Sequence, residues 1–259
     1  MSDAFPTTAR VVIVGGGVMG VGAAYHLAHE GWGPEVVLLE KAELTSGSTW
    51  HAAGQITHST SSFSLGKCVD YNIGLYSGGL EQETGQPVTW HGCGSFRLAY
   101  TEDEMDWLRH TLSVGRALGF NMELAGPEAV AALHPFYNLD GVLGALHTPD
   151  DGHVDPSNVT MALAAGARAK GVRIIRRCRA TDITRAGDDW RVDGCGASGE
   201  GRTDVRLNLA RGGADHAFDV VLRARQMRRL QYRPLFRRAG GGDWAGRHVA
   251  RLWVVPAGV

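Results

Sequence analysis

No apolar run in this sequence approaches the roughly 18–20 residues that cross a bilayer, so no membrane span is expected. Excess charge is missing too. The formal net charge is -1, which argues against a broad electrostatic surface for nucleic acid or anionic lipid. The opening Met1–Pro6 has no basic stretch, apolar stretch or cleavage site, so a cytoplasmic protein is the expectation. Cysteine is sparse: Cys68, Cys93, Cys178 and Cys195. None forms a C-x-x-C pair and the spacings are wide. No metal site and no disulfide framework is therefore expected, and the four are read as reduced thiols. No internal repeat is found.

Hydrophobic residues make up 44% of 259, enough for a substantial core in one large domain. Arg10-Val11-Val12-Ile13-Val14 is a short β-branched run that reads as a buried parallel strand. Ala23, Ala24, Leu27 and Ala28 then recur at helical spacing, and Gly31 is a plausible C-terminal cap. Glu35 to Glu40 is a second buried strand. Such a βαβ unit needs a right-handed crossover and implies a parallel sheet. Further on, the pattern predicts one helix over 64–83 and a strand over 95–100. A helix to about Leu118 opens on the capping box Thr101-Glu102-Asp103-Glu104. A short helix is expected from Pro127, a strand over 141–147, a helix from Asp155-Pro156 to about Lys170, and a strand over 172–176.

The chemistry starts at Gly15-Gly16-Gly17-Val18-Met19-Gly20, which fits G-x-G-x-x-G. Alone the pattern is weak. Here it follows a strand, opens a helix and lies inside a βαβ unit. Gly15 allows the tight turn, Gly17 lets the backbone approach a pyrophosphate, and Gly20 lets helix and strand pack closely. The helix start offers free N–H groups and a positive dipole end to phosphates. Glu40 ends the second strand, where a carboxylate accepts hydrogen bonds from ribose hydroxyls and repels a 2′-phosphate, so NADP is disfavoured. A plain glycine turn with a surface acid is the bland alternative. The following loop, Leu44-Thr45-Ser46-Gly47-Ser48-Thr49-Trp50-His51-Ala52-Ala53-Gly54, is rich in small and hydroxyl residues that suit a flat ligand and its phosphates.

Glu40-Lys41 with Glu43 through Gly54 resembles the dimethylglycine and sarcosine dehydrogenase group of the D-amino-acid-oxidase-like flavoproteins. Asp151-Gly152-His153-Val154-Asp155-Pro156, followed by Ala162-Leu163-Ala164 and Ala167, is similar to the family segment that starts a helix beside the flavin. The resemblance runs from about residue 10 to 192. It implies an α/β fold: a Rossmann-like FAD-binding domain (GR2-type) with part of a substrate-domain β-sheet. It implies a βαβ unit at 9–60, cap and substrate elements at 64–150, and a return helix and strands at 151–192. FAD is the implied cofactor. The implied contacts are Gly15, Gly17, Val18, Met19, Gly20, Glu40, Lys41, Gly47, Ser48, Thr49, Trp50, His51, Ala52, Ala53, Gly54 and Gln55, with a backbone contact at Ala180. In the family the histidine of T-W-H-A-A-G is bonded to the 8α-methyl carbon of the flavin, and that residue matches His51. From the residues alone, a packing or hydrogen-bonding histidine stays open.

The group oxidises a small N-methylated amine by hydride transfer to the flavin, with an electron-transfer flavoprotein or oxygen as acceptor. No catalytic residue can be carried over. Two alternatives stay open: an FAD-dependent oxidase of other amino-acid specificity, and a non-catalytic dinucleotide-binding fragment. An NAD enzyme is a poor third, because the serine-rich loop would have no job. His91 and Cys93 do not make a metal site. His147 and His153 read as structural, Trp90, Phe96 and Trp107 as core, and Asp155 as a helix cap. Composition breaks near Asp193: Arg stays frequent, Lys disappears, and Gly and Ala crowd in. The family's next strand pair and buried strand are not recognisable there, and Val220–Leu230 reads as a poor helix. Residues 193–259 are therefore expected to be a divergent or frameshifted tail. On that reading this chain is incomplete or inactive, poorly soluble and weak in holding flavin.

Overall fold

The computed structural model describes residues 6–186, 189–198, 201–209 and 221–223. The chain opens with β1 (Thr8–Ala9), β2 (Val11–Val14), α1 (Val18–Leu27) and β3 (Val36–Leu39). It continues through β4 (Gln55–Ile56), α2 (Phe63–Gly74), α3 (Leu80–Thr84), β5 (Ser95–Ala99), α4 (Glu102–Leu118), β6 (Glu123–Ala125) and α5 (Pro127–Leu133). Then follow β7 (Gly144–Thr148), β8 (Gly152–His153), α6 (Pro156–Ala169) and β9 (Arg173–Ile175). The last described elements are β10 (Cys178–Ala186), β11 (Asp189–Ser198), β12 (Gly201–Leu209) and β13 (Val221–Arg223).

A parallel sheet, ordered β13-β2-β3-β9, carries the site. Strand alternation sorts its side chains. Val11, Ile13, Val36 and Leu38 face α1 and α6, where they pack on Val21, Ala24, Leu163 and Ala167. Val12, Val37 and Leu39 face the other way, onto Cys178 and Val192 of the antiparallel β10-β11-β12 meander. Ile13 and Leu38 are fully buried, each worth about 1.5–3 kcal/mol of apolar transfer. A third sheet, β5-β7-β6, is covered by α4 through Leu108, Leu112, Met122 and Leu146. The short β4-β8 ribbon runs between the cofactor loop and the strand before α6.

Local signals acted as read at α4 and α6. Thr101 and Glu104 form the reciprocal capping box, and Gly119 ends α4 in the left-handed conformation. Asp155 Oδ1 accepts from Ser157 N at 2.8 Å and Asn158 N at 2.9 Å. Other expectations need correction. The helix expected over 64–83 is broken: α2 passes into a wide turn at Leu75–Gly79, where Gly78 leaves helical geometry, before α3 resumes. Gly74, Gly78 and Gly79 weaken the helix there. The family's strand pair is present past Val192, since β11 and β12 pair from Trp190↔Leu209 to Ser198↔Gly201. Val221–Arg223 is a strand, not a helix, and lies parallel to β2. The rest of the expected aberrant tail, 199–200, 210–220 and 224–259, lies outside the described residues.

Candidate FAD site

The glycine turn joins the C-terminal end of β2 to α1. Gly15 has φ 118°, a backbone conformation that side chains oppose, and its N–H donates to Leu39 O at 2.8 Å. A Cβ on Gly20 would stand 2.1 Å from Gly15 O, so helix and turn meet at a distance only glycine permits. The N-cap, Gly17, has no side chain to bond the helix start, and the first turn of α1 has no acidic residue. These features fit a phosphate held by backbone N–H groups. One of those groups already has a partner: Val18 N donates to Thr49 Oγ1 at 3.0 Å. The same oxygen would lie 2.9 Å from a Cβ on Gly17.

Glu40 is only 8% exposed. Its Oε2 accepts from Gly16 N at 2.7 Å and its Oε1 from Ala42 N at 2.8 Å. The carboxylate therefore organises the glycine turn itself, and each oxygen keeps a second lone pair for a ribose hydroxyl. Beyond Glu40 the chain is laced to the next strands, with Glu40 N donating to Ile175 O and Cys178 N to Glu40 O, both at 2.8 Å. This places β10 against the end of β3. Ala180 lies two residues along β10, opposite Gly194, next to a register shift. Lys41 is exposed.

The serine-rich loop wraps the turn. Leu44 is buried under Gly16, and Thr45 N donates to Gly16 O at 3.0 Å. Gly47 and Ser48 are exposed, and Thr49–His51 form one tight helical turn in which His51 N donates to Ser48 O. Thr49 is buried, while the Trp50 and His51 rings stand exposed with centroids 4.2 Å apart. Ala52, Ala53 and Gln55 are exposed, and so is Met19. The structure thus brings together Gly15–Gly20, Glu40 and 44–55 around the start of α1, with Ala180 on an adjoining strand.

One buried polar cluster pairs Asp151 with a residue that had no signal in the sequence. His58 Nδ1 and Asp151 Oδ1 are 2.8 Å apart, although the residues are separated by 93 positions. Burial alone would push the His58 imidazole down. The hydrogen bond and charge of Asp151, helped by Asp70, outweigh it and hold the imidazole above its usual value. Burial pushes the Asp151 carboxyl up, but hydrogen bonds from His58, Ser95 and Thr57 hold it below the usual carboxylate range.

The remaining candidates have ordinary partners. His147 Nδ1 lies 3.1 Å from Glu123 Oε1, and its ring stacks on Phe96. The His91 and His153 rings meet edge to face. Trp90 packs on the helix-side core and Trp107 on the α4 core. Among the described residues no group of three or more His, Cys, Asp or Glu could hold a metal ion, and no helix is long and apolar enough to cross a membrane. Cys68 and Cys93 are exposed and Cys178 is buried. An open groove of about 450 Å³ lies between α6 and Glu43-Leu44, lined also by Met161, Arg168, Ile174 and Arg176. None of the sequence-predicted site residues lines it.

Fold and site together define a dinucleotide-binding flavoprotein. The profile of the family described as FAD dependent oxidoreductase matches residues 10–240, and the chain belongs to that family, whose cofactor is FAD. The match continues well past the composition break at Asp193. The chain is 43% identical over 186 residues to dimethylglycine dehydrogenase of Rattus norvegicus, covering 71% of this chain and 22% of that one. Identity to sarcosine dehydrogenase of Mus musculus is 35% over 191 residues, 74% of this chain and 21% of that one. It is 40% over 176 residues to the pyruvate dehydrogenase phosphatase regulatory subunit of Mus musculus, 68% of this chain and 20% of that one. All three relatives are mitochondrial, and the matched stretch spans about a fifth of each. The fold is similar to the crystal structure of L-proline dehydrogenase from P. horikoshii. The TM-score is 0.68 at 22% identity, over 78% of this chain and 51% of that one.

Proposed function

We propose that this chain is the FAD-binding part of an oxidoreductase that acts on an N-methylated amino acid of the dimethylglycine or sarcosine kind, with His51 as the point of covalent attachment. The observation that carries the reading is the bond from Val18 N to Thr49 Oγ1. It ties the T-W-H-A-A-G turn to the start of the phosphate-facing helix and leaves the His51 ring exposed. FAD supplies the hydride acceptor for the N-methyl carbon. The chain's own part is to seat the pyrophosphate on the 15–20 turn, to present Glu40 to the ribose, and to hold His51 beside the ring system. Identity to the dimethylglycine and sarcosine dehydrogenases supports the substrate class. An electron-transfer flavoprotein or oxygen as acceptor, and a cytoplasmic location, belong to the same proposal.

The expectation of weak flavin retention rests on a sheet without its later strands. With β13 on one side of β2 and β3 on the other, the strand bearing the glycine turn is interior, and that reason falls away. The test is to saturate the chain with FAD, precipitate it in acid and record the visible spectrum of the washed pellet. Flavin should stay with the protein, and His51→Ala should release it to the supernatant. A colourless pellet from the unmodified chain removes the tethering reading. A second reading, a cofactor-binding part of a non-catalytic regulatory protein, is favoured by the 40% identity to the phosphatase regulatory subunit. Bleaching of bound flavin by dimethylglycine or sarcosine without oxygen decides for the oxidoreductase.

A further inference from the structure

Residues 46–53 have exposed side chains apart from Thr49, so burial cannot hold the turn that presents His51. It needs polar anchors at both ends. Thr49 on Val18 N is one. The other is a seam that starts at Gly54. Val154 N donates to Gly54 O at 3.0 Å, and a Cβ on Gly54 would stand 2.1 Å from Val154 O. Gln55 and Ile56 pair with His153 and Gly152. The seam closes on Asp151, which is 1% exposed. Four donors converge on its carboxylate: Thr57 Oγ1 at 2.6 Å, His58 N at 2.9 Å, His58 Nδ1 at 2.8 Å and Ser95 Oγ at 2.6 Å. Three of these come from the two residues that follow β4.

His58 reaches further than its neighbours. Its side chain is 5% exposed, and Nε2 lies 3.5 Å from Asp70 Oδ1 of α2. Its ring rests on Phe120 with centroids 4.3 Å apart. One imidazole therefore joins the β7–β8 turn, α2 and the segment after α4. Only the protonated ring can donate from both nitrogens at once.

We propose that His58 is a positioning residue: clamped between Asp151 and Asp70, it fixes the far end of the seam and so holds the Thr49–His51 turn in place before the cofactor arrives. The consequence for attachment rests on reading His51 as the tether, but the clamp itself does not. The titratable groups that face His58 are Asp151 from the β7–β8 turn and Asp70 from α2; Phe120 and Ser95 bring no charge. Both carboxylates favour the charged ring. Because the imidazole is held above its usual value, the charged ring's share of the clamp weakens as pH rises through that raised value.

The test is amide hydrogen exchange on the full chain without added FAD, following peptides that cover 49–58, α1 and α6. His58→Phe keeps the ring shape and removes both donors. It should speed exchange over 49–58 by about tenfold while α1 and α6 change by less than about twofold. After correction for intrinsic rates, the unmodified loop should loosen as pH rises past the usual imidazole value of about 6.5, and the variant should show no such step. Unchanged exchange in the loop, or equal acceleration of loop, α1 and α6, overturns the proposal. If His58→Phe does not fold, Asp70→Asn provides the same decision. Asp70 is 65% exposed at its side chain, and this change releases only the second nitrogen. Because Asp151 still acts on the ring, the change should shrink the pH step and move it to lower pH, and an unchanged step overturns the clamp. Acid-stable flavin is measured on parallel samples of the same proteins saturated with FAD. Its absence from the unmodified chain ends the tethering reading, while the exchange result still decides the clamp.

Discussion

Two glycines in α1 show how much depends on what a methyl group would meet. At Gly20 it meets the backbone oxygen of Gly15 at 2.1 Å, which cannot yield without opening the phosphate turn. At Gly22 nothing lies within 4 Å. Gly20→Ala should therefore cost about 3 kcal/mol or more, whereas Gly22→Ala should stabilise by roughly 0.5–1 kcal/mol through helix propensity. Urea denaturation midpoints of the two variants check both signs. Glu40 makes a third case. Its two oxygens face two backbone N–H groups, so Glu40→Gln turns an amide NH₂ toward one of them. The expected loss is about 1–3 kcal/mol, together with weaker FAD binding by fluorescence titration. A change that weakens FAD binding but leaves the urea midpoint untouched would assign Glu40 to the ligand alone.

At the level of elements, what could be read in the sequence depended on how local each cause was. The capping box of α4 lies within four residues and was legible; Thr101→Ala should lower stability by about 1 kcal/mol in thermal unfolding. The βαβ unit was legible because β2 and β3 are continuous apolar runs flanking a glycine turn. The break between α2 and α3 was missed because the apolar spacing at Val69, Ile73, Tyr76 and Leu80 persists across it, while three glycines undo the helix. β13 is three residues long and is defined by its neighbour β2, so no local pattern announces it. The Asp151 seam is of the same non-local kind. It also predicts a bell-shaped stability profile. Asp151 is held low, so its contribution is present above the unfolded carboxylate value near about 4 and is lost as pH falls through the lower folded value. His58 is held high, so its share is lost as pH rises through the raised value. Asp151→Asn should cost on the order of 3 kcal/mol and flatten the acid limb when the urea midpoint is followed against pH.

For the whole molecule, three layers form around one parallel sheet: α1 and α6, the sheet, and the β10-β11-β12 meander. A ligand that binds only this assembled state stabilises it by mass action, by about 2.7 kcal/mol at a hundredfold excess over Kd. FAD should therefore raise the melting temperature in a thermal shift assay and NADP should not, since Glu40 stands where a 2′-phosphate would lie. Equal shifts with both would remove the ribose reading of Glu40.

The pairing of β2 with β13 also sets an order of events in time. Val12 meets Val221, about two hundred residues later in the chain. At ordinary translation rates of about 5–20 residues per second, β2 leaves the ribosome roughly ten to forty seconds before its second neighbour exists. For that interval one side of Val11–Val14, the most apolar strand in the fold, is an open edge that any passing strand could take. The newborn chain is thus most exposed to mispairing just after its cofactor turn has been made, and a chaperone that covers such an edge would have its use then.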